Sequence, residues 1–236
     1  MALPKLEAPT YMLELPSTNE EIKFRPFLVK EQKILMMAQE SENENQIYES
    51  MSKIINSCTF GKLDATTAPL FDVEYVFLKL RAKSIGETAK LTIKCPDDEK
   101  TPVEVEINLD KIDVQVTEGH SNEIYINDTI KMVMKYPQLR NMKGVDMQKG
   151  SNVEQIFSIL KTCIWEVHDG DKIYNRVDIS DKDIEEFIDS FSNEQFEKVQ
   201  NFFETMPKLR HTIEVENPKT KVKSEVLLEG LESFLV

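Results

Sequence analysis

The chain has 236 residues, 40% of them hydrophobic and 30% charged, enough to bury a sizeable core as one large domain or two small ones. Forty-two acidic residues against 29 basic ones leave a formal charge of -13, which repels phosphate backbones and argues against direct nucleic-acid binding. No apolar run reaches the roughly 18 residues a membrane helix needs, and Pro4, Lys5 and Glu7 stand where a signal peptide would be apolar, so the chain is expected to stay in the cytoplasm where it is made.

At the N-terminal end, Tyr11, Leu13 and Leu15 alternate with Met12 and Glu14, and Ile22 and Phe24 alternate with Lys23 and Arg25. With Pro16-Ser17-Thr18-Asn19 between them, the two runs predict a β-hairpin. Pro26 has no N–H to donate, so the second strand should end there or lie at an edge. Ile34, Leu35 and Ala38, then Ile47, Met51, Ile54 and Ile55, recur at helical spacing around a polar break at Ser41-Glu42-Asn43-Glu44-Asn45. Each of these two helices should have one apolar and one charged face. A loop over residues 59–69 leads to a third helix with Val73, Val76, Phe77 and Leu80 as its buried stripe and Gly86 as its terminator. On that helix Lys79, Arg81 and Lys83 make a locally basic surface in an acidic chain.

Between Glu87 and Lys135 the period falls to two: Leu91 and Ile93; Val103, Val105, Ile107 and Leu109; Ile112, Val114 and Val116; Ile124 and Ile126; Ile130, Met132 and Met134. That pattern predicts an antiparallel meander with one apolar face. Val153, Ile156, Phe157, Leu160, Ile164 and Val167 then form a strong helical stripe, with Trp165 beside it as a core residue, and Lys172 to Val177 reads as a strand. Ser180 and Asp181 precede a helix with Ile184, Phe187, Ile188 and Phe191. Ser192-Asn193-Glu194-Gln195 matches a capping box for another helix, which Pro207 should stop. A second hairpin follows, turning at Asn217-Pro218-Lys219.

The sum is an α+β fold: an N-terminal β-hairpin and helices, a central antiparallel meander, and a mostly helical C-terminal half ending in a hairpin. A break at Lys143 to Ser151 would divide it into 1–143 and 144–236, or serve as an ordinary loop within one continuous domain.

Catalytic and ligand-binding signatures are not legible. Seven glycines include no G-x-G-x-x-G and no G-x-x-x-x-G-K-[ST]. His120, His168 and His211 are scattered, and Cys95-Pro96-Asp97-Asp98 lacks the second cysteine that a zinc knuckle needs. Cys58, Cys95 and Cys163 are odd in number and widely spaced, which suits buried free thiols rather than a disulfide framework. His168-Asp169-Gly170-Asp171 lacks the alternating carboxylates of a calcium loop and reads as a turn. Acidic clusters at Glu40 to Glu44 and Asp181 to Glu186 read as solvated helix faces. No cofactor, metal or catalytic residue is assigned.

For partner contact the candidates are Phe24, Arg25, Pro26 and Phe27, since aromatic and arginine side chains make good interface anchors, together with Arg81 and Lys83. The competing reading is that Phe24 and Phe27 roof the first helix.

Pro9-Thr10-Tyr11-Met12-Leu13-Glu14-Leu15-Pro16 and Ile22-Lys23-Phe24-Arg25-Pro26-Phe27, running into Leu28-Val29-Lys30-Glu31-Gln32-Lys33-Ile34-Leu35-Met36-Met37-Ala38, resemble the opening block of the baseplate proteins of T4-like contractile-tailed phages. The likeness resumes from Phe71 to Glu87. It implies a non-enzymatic protein of tail morphogenesis. That protein is either a baseplate hub subunit that stays in the virion or a factor that helps the hub assemble and leaves. Its partners would be other tail and hub proteins, with no nucleic acid, membrane or small-molecule substrate. The rival reading is a metal-binding regulator or small enzyme without a recognisable motif.

Overall fold

The computed structural model describes residues 6–41, 44–142 and 153–234. It is a mixed α+β fold of small antiparallel sheets and helices, with the described residues packed in two units. One comprises the described residues up to Gln115 and from Lys208 onward, the other those from Val116 to Pro207. The break expected at Lys143–Ser151 lies outside the described residues.

In the first unit β1 (Tyr11–Glu14) pairs antiparallel with β2 (Glu21–Phe24), Tyr11 opposite Phe24 and Glu14 opposite Glu21. The period of two puts Leu13, Ile22 and Phe24 inside. Asn19 takes a positive φ of 56° at the turn, a conformation asparagine tolerates, and its N–H donates to the Leu15 carbonyl at 2.8 Å. The strand ends before Pro26, as the missing donor requires.

Helices α1 (Val29–Glu40), α2 (Glu44–Cys58) and α3 (Leu70–Ser84) follow. α3 is buried on most of its circumference: Phe71, Val73, Val76, Phe77, Leu78, Leu80 and Ala82 are all inside. A helix buried on most sides belongs in the middle of a unit, and its polar side chains must then find partners there. The sequence suggested one stripe because Lys79 interrupts the pattern, yet Lys79 is also buried. Its ammonium donates to the carbonyls of Asp110 at 2.7 Å and Ile112 at 2.9 Å, and lies 3.5 Å from the Asp113 carboxylate. Lys79→Met keeps the aliphatic stem but leaves both carbonyls without this donor. It should lower stability by about 2 kcal/mol, read from the midpoint of urea unfolding.

β3 (Thr88–Lys94) and β4 (Pro102–Asn108) form a hairpin, with Lys90 opposite Glu106 and Pro102 at the first position of its strand, where a missing donor is tolerated. β5 (Asp113–Gln115) then leaves them to pair with β10 (Lys208–Glu216), which also pairs with β11 (Lys223–Glu229). The strands between Glu87 and Lys135 are antiparallel but belong to three sheets. The first break, between β4 and β5, falls at residues 109–111. Asn108 caps a 3-10 turn there by accepting the Asp110 N–H at 2.9 Å, the turn buries Leu109 and Ile112 completely, and Lys79 holds the carbonyls of Asp110 and Ile112.

The second unit contains β6 (Glu123–Tyr125), β7 (Ile130–Met134), α4 (Val153–Cys163), β8 (Ile164–Asp169), β9 (Lys172–Asn175), α5 (Asp181–Asp189) and α6 (Asn193–Thr205). The strands lie side by side in the order β6-β7-β8-β9. Ile124, Met132, Met134, Leu160, Val167, Ile184, Val199 and Phe202 share the core beneath them. The helical stripe expected to run to Val167 stops at Cys163, and Ile164 begins a strand. Ile164 lies opposite Met134 and Val167 opposite Met132, so β-branched side chains that fit a helical period instead complete a sheet. Trp165 is correspondingly not a core residue: it is 37% exposed, with the Lys135 ammonium 2.9 Å from its ring centre. The capping box at Ser192 and Gln195 is present, and Ser180 forms another with Asp183.

Candidate partner-binding surface

Phe24, Pro26 and Phe27, expected as possible anchors, are buried in the first unit, Phe24 to 2% exposure. Arg25 points along the same seam. Its guanidinium donates to Glu31 Oε1 at 2.9 Å, Ser57 Oγ at 3.0 Å and the Pro26 carbonyl at 3.0 Å. Glu31 also accepts the Leu28 N–H at 2.8 Å and the Ser57 hydroxyl at 3.0 Å. Burial by itself would push the Glu31 carboxyl up. The hydrogen bonds from Arg25, Leu28, Ser57 and Lys30 outweigh it and hold the group at about 2. The Phe27 N–H donates to Ser84 Oγ at 2.9 Å, so the hairpin exit is bound to α1, α2 and α3 together. Lys83 is paired with Glu87 and Asp110, and Arg81 is half-buried, its Nη1 shielded from solvent without a hydrogen-bond partner among the described residues.

The pairing of Glu31 fixes how α1 sits. Glu31, Leu35 and Ala38 fall at i, i+4 and i+7, and that column faces the unit. Two neighbouring columns with the same spacing face solvent: Val29, Lys33 and Met36, and beside them Lys30, Ile34 and Met37. Val29 is 68% and Met37 70% exposed, and Leu28, Ile34 and Met36 are also exposed. Ile34 was expected in the buried stripe and is outside it because the Arg25 contact turns the neighbouring column inward. The outer face therefore carries a contiguous set of large apolar side chains with a lysine in each column and exposed Glu40 at the end of the first. Among the described residues Lys30 reaches only the Glu31 carboxylate, at 3.3 Å, and Lys33 forms no ion pair. The spacing of these residues is in the sequence, but the inward column shares it, and the ion pair of Glu31 singles that one out.

A second exposed apolar set lies in the other unit. β9 is the outer strand of its sheet and every residue of it is exposed, Ile173 and Tyr174 among them; the strand expected to reach Val177 ends at Asn175, and Val177 stands open to solvent in the 3-10 turn Arg176–Asp178. An edge strand of this kind offers unpaired backbone groups to another chain.

Several groups capable of chemistry are held by their surroundings. His120 Nδ1 lies 2.9 Å from Thr205 Oγ1 and Nε2 3.1 Å from the Tyr136 hydroxyl, and burial lowers its pKa. Burial pushes the Cys58 thiol up to about 11 and Cys163 up to about 12, so neither holds a thiolate at neutral pH. An open cavity of about 480 Å³ in the second unit is lined by Glu123, Glu194, Glu197, Lys198 and Phe202 among others. Lys198 donates there to the Tyr125 carbonyl at 3.1 Å, and Glu123 is paired with Lys131. Among the described residues no group of three or more His, Cys, Asp or Glu could hold a metal ion, and no helix is long and apolar enough to cross a membrane.

A family model described as T4 bacteriophage base plate protein matches residues 8–236. Neither a curated protein nor a solved structure matches the chain.

Proposed function

Because this chain belongs to the T4 bacteriophage base plate protein family, we propose that it is a non-enzymatic structural or assembly component of the baseplate hub, working through contacts with other baseplate proteins. The family match over nearly the whole chain carries the reading. The exposed apolar face of α1 supports the contact mechanism, since large apolar side chains gathered on one face are a usual mark of a protein interaction site. The excess of acidic residues fits a subunit kept apart from its own kind until a complementary partner arrives. Assembly would take place in the host cytoplasm, with the finished baseplate as the destination.

Infection with a phage lacking this gene tests the reading. Electron microscopy of the lysate should find tails absent or baseplates incomplete, restored when the protein is supplied from a plasmid. Complete, infectious particles formed without it would overturn the proposal. A mass-spectrometric inventory of purified virions should then detect the protein if it is a hub subunit, and miss it if it is an assembly factor that leaves.

A further inference from the structure

We propose that the cavity beside β6 receives an extended, basic segment of another baseplate protein, added to the free edge of β6 with its lysine or arginine side chains toward α6. This rests on the baseplate reading above and names the partner's chemistry. Backbone, shape and charge each select that occupant.

β6 is the other outer strand of its sheet, and the open cavity of about 480 Å³ is lined by residues of β6 and of α6. The Ile126 N–H donates to the Ile130 carbonyl at 2.9 Å and the Met134 N–H to the Asn122 carbonyl at 2.8 Å, with Ile124 opposite Met132 between them. In an antiparallel ladder alternate residues turn their backbone groups to the neighbour, so Asn122, Ile124 and Ile126 turn to β7 while Glu123 and Tyr125 turn away. Two of the four outward groups are taken: the Glu123 N–H donates to Ser121 Oγ at 3.0 Å, and the Tyr125 carbonyl accepts from Lys198 at 3.1 Å. The Glu123 carbonyl and the Tyr125 N–H have no partner among the described residues. A chain laid along this edge meets the pair with one N–H and one C=O, the bond pattern of strand addition. A helix has both kinds of group paired along its own axis and cannot supply them.

The shape agrees. Ile124 shares the core with Val199 and Phe202, so α6 lies on the Ile124 face of the sheet, and Tyr125, 62% exposed, stands on the opposite face. Side chains of an added strand alternate in the same way, one row toward α6 and one toward the Tyr125 side.

Charge then sets the residue type. Glu123 is paired with Lys131 at 2.9 Å, and Lys198 is held by the carbonyls of Tyr125 and Ile126. Glu194 and Glu197 line the same cavity, are exposed, and form no ion pair among the described residues. At i and i+3 on α6 they stand about 5 to 6 Å apart, close to the roughly 7 Å between same-face side chains of an extended chain. Lysine or arginine at alternate positions meets both. The net charge of -13 draws such a segment in and repels a second copy of the chain.

The test places the photo-crosslinker p-benzoylphenylalanine at Tyr125 in the full chain, expressed in infected cells. After irradiation the adduct is isolated and the attached peptide sequenced by mass spectrometry. The expected adduct is to a segment of another baseplate protein with lysine or arginine at alternate positions. Glu194→Lys combined with Glu197→Lys should lower its yield by about tenfold, and glutamate in place of the two facing basic residues should restore it. If the reversal lowers the urea midpoint, Glu194→Gln with Glu197→Gln takes its place, with an expected fall of about threefold. A synthetic peptide of the crosslinked sequence should bind the purified protein, and methylating its backbone nitrogens one at a time should weaken binding at alternate positions. The inference is overturned by an adduct to a second copy or to an acidic segment, by binding indifferent to every methylated nitrogen, or by no adduct in infected cells whose tail assembly the protein restores. That last result leaves the baseplate role standing, whereas normal particles without the gene product would remove the role itself.

Discussion

Glu31→Ala should lower the stability of the first unit by about 3 to 5 kcal/mol, the range found when one partner of a buried ion pair is removed. The carboxylate is 3% exposed and the Arg25 guanidinium beside it 13%, so the substitution leaves a nearly desolvated cation with no counter-charge. It also removes the acceptor for the Leu28 N–H at the start of α1 and for the Ser57 hydroxyl near the end of α2. Urea unfolding of the variant beside the unaltered chain measures the loss. A difference below 1 kcal/mol would mean that the guanidinium finds water or another acceptor.

The same group predicts an acid-side effect. In the folded chain Glu31 is held at about 2, below its ordinary value of 4.5, so it binds its proton less readily folded than unfolded. Its stabilising contribution is complete above about pH 4.5 and is lost as pH falls through the folded value. Glu31→Gln, which keeps an acceptor but no charge, should therefore lose less stability relative to the unaltered chain at pH 2.5 than at pH 7.

Glu74→Gln should have the opposite sign. Glu74 lies on α3, where burial pushes its carboxyl up to about 7; the Leu231 N–H, donated at 3.3 Å, works against that rise, and Glu232 and Glu229 add to it. A carboxyl with a folded pKa above its ordinary 4.5 keeps its proton in the folded chain while the unfolded chain releases it. Stability should then fall as pH rises from about 4.5 to 7 and stay low above that window. Glutamine is uncharged at every pH and its side-chain carbonyl can still accept from Leu231. The variant should match the unaltered chain near pH 4 and exceed it at pH 8 by as much as about 3 kcal/mol, the linkage value of a shift of this size. Parallel stability profiles from pH 4 to 8 would rule the idea out.

The hairpin of β1 and β2, the third helix and the capping box at Ser192 were all legible in the sequence because each is written in near neighbours. Alternating side chains, a turn asparagine and a serine three residues before a glutamine act within a few bonds. The junction at Cys163 and Ile164 was not legible. Ile156, Leu160, Ile164 and Val167 satisfy a helical period, and only the neighbouring strand with Met132 and Met134 turns the last two into sheet residues. The departure of β5 from the meander has the same origin, since its partner β10 lies more than ninety residues away in the chain.

The candidate surface divides likewise. Residues 28–38 spell a helix with large apolar residues on several sides. Which side faces out is not written there. A glutamate among lysines reads as a solvated helix position, and Phe24 to Phe27 read equally as anchors or as roof. In the folded chain Arg25, delivered by the hairpin, draws Glu31 inward, and Leu35 and Ala38 follow as members of its column. Val29, Ile34, Met36 and Met37 are thereby left outside. Local periodicity determines that α1 is a helix; an ion pair to another element, formed only when the tertiary structure brings the hairpin and α1 together, decides which of its faces stays exposed.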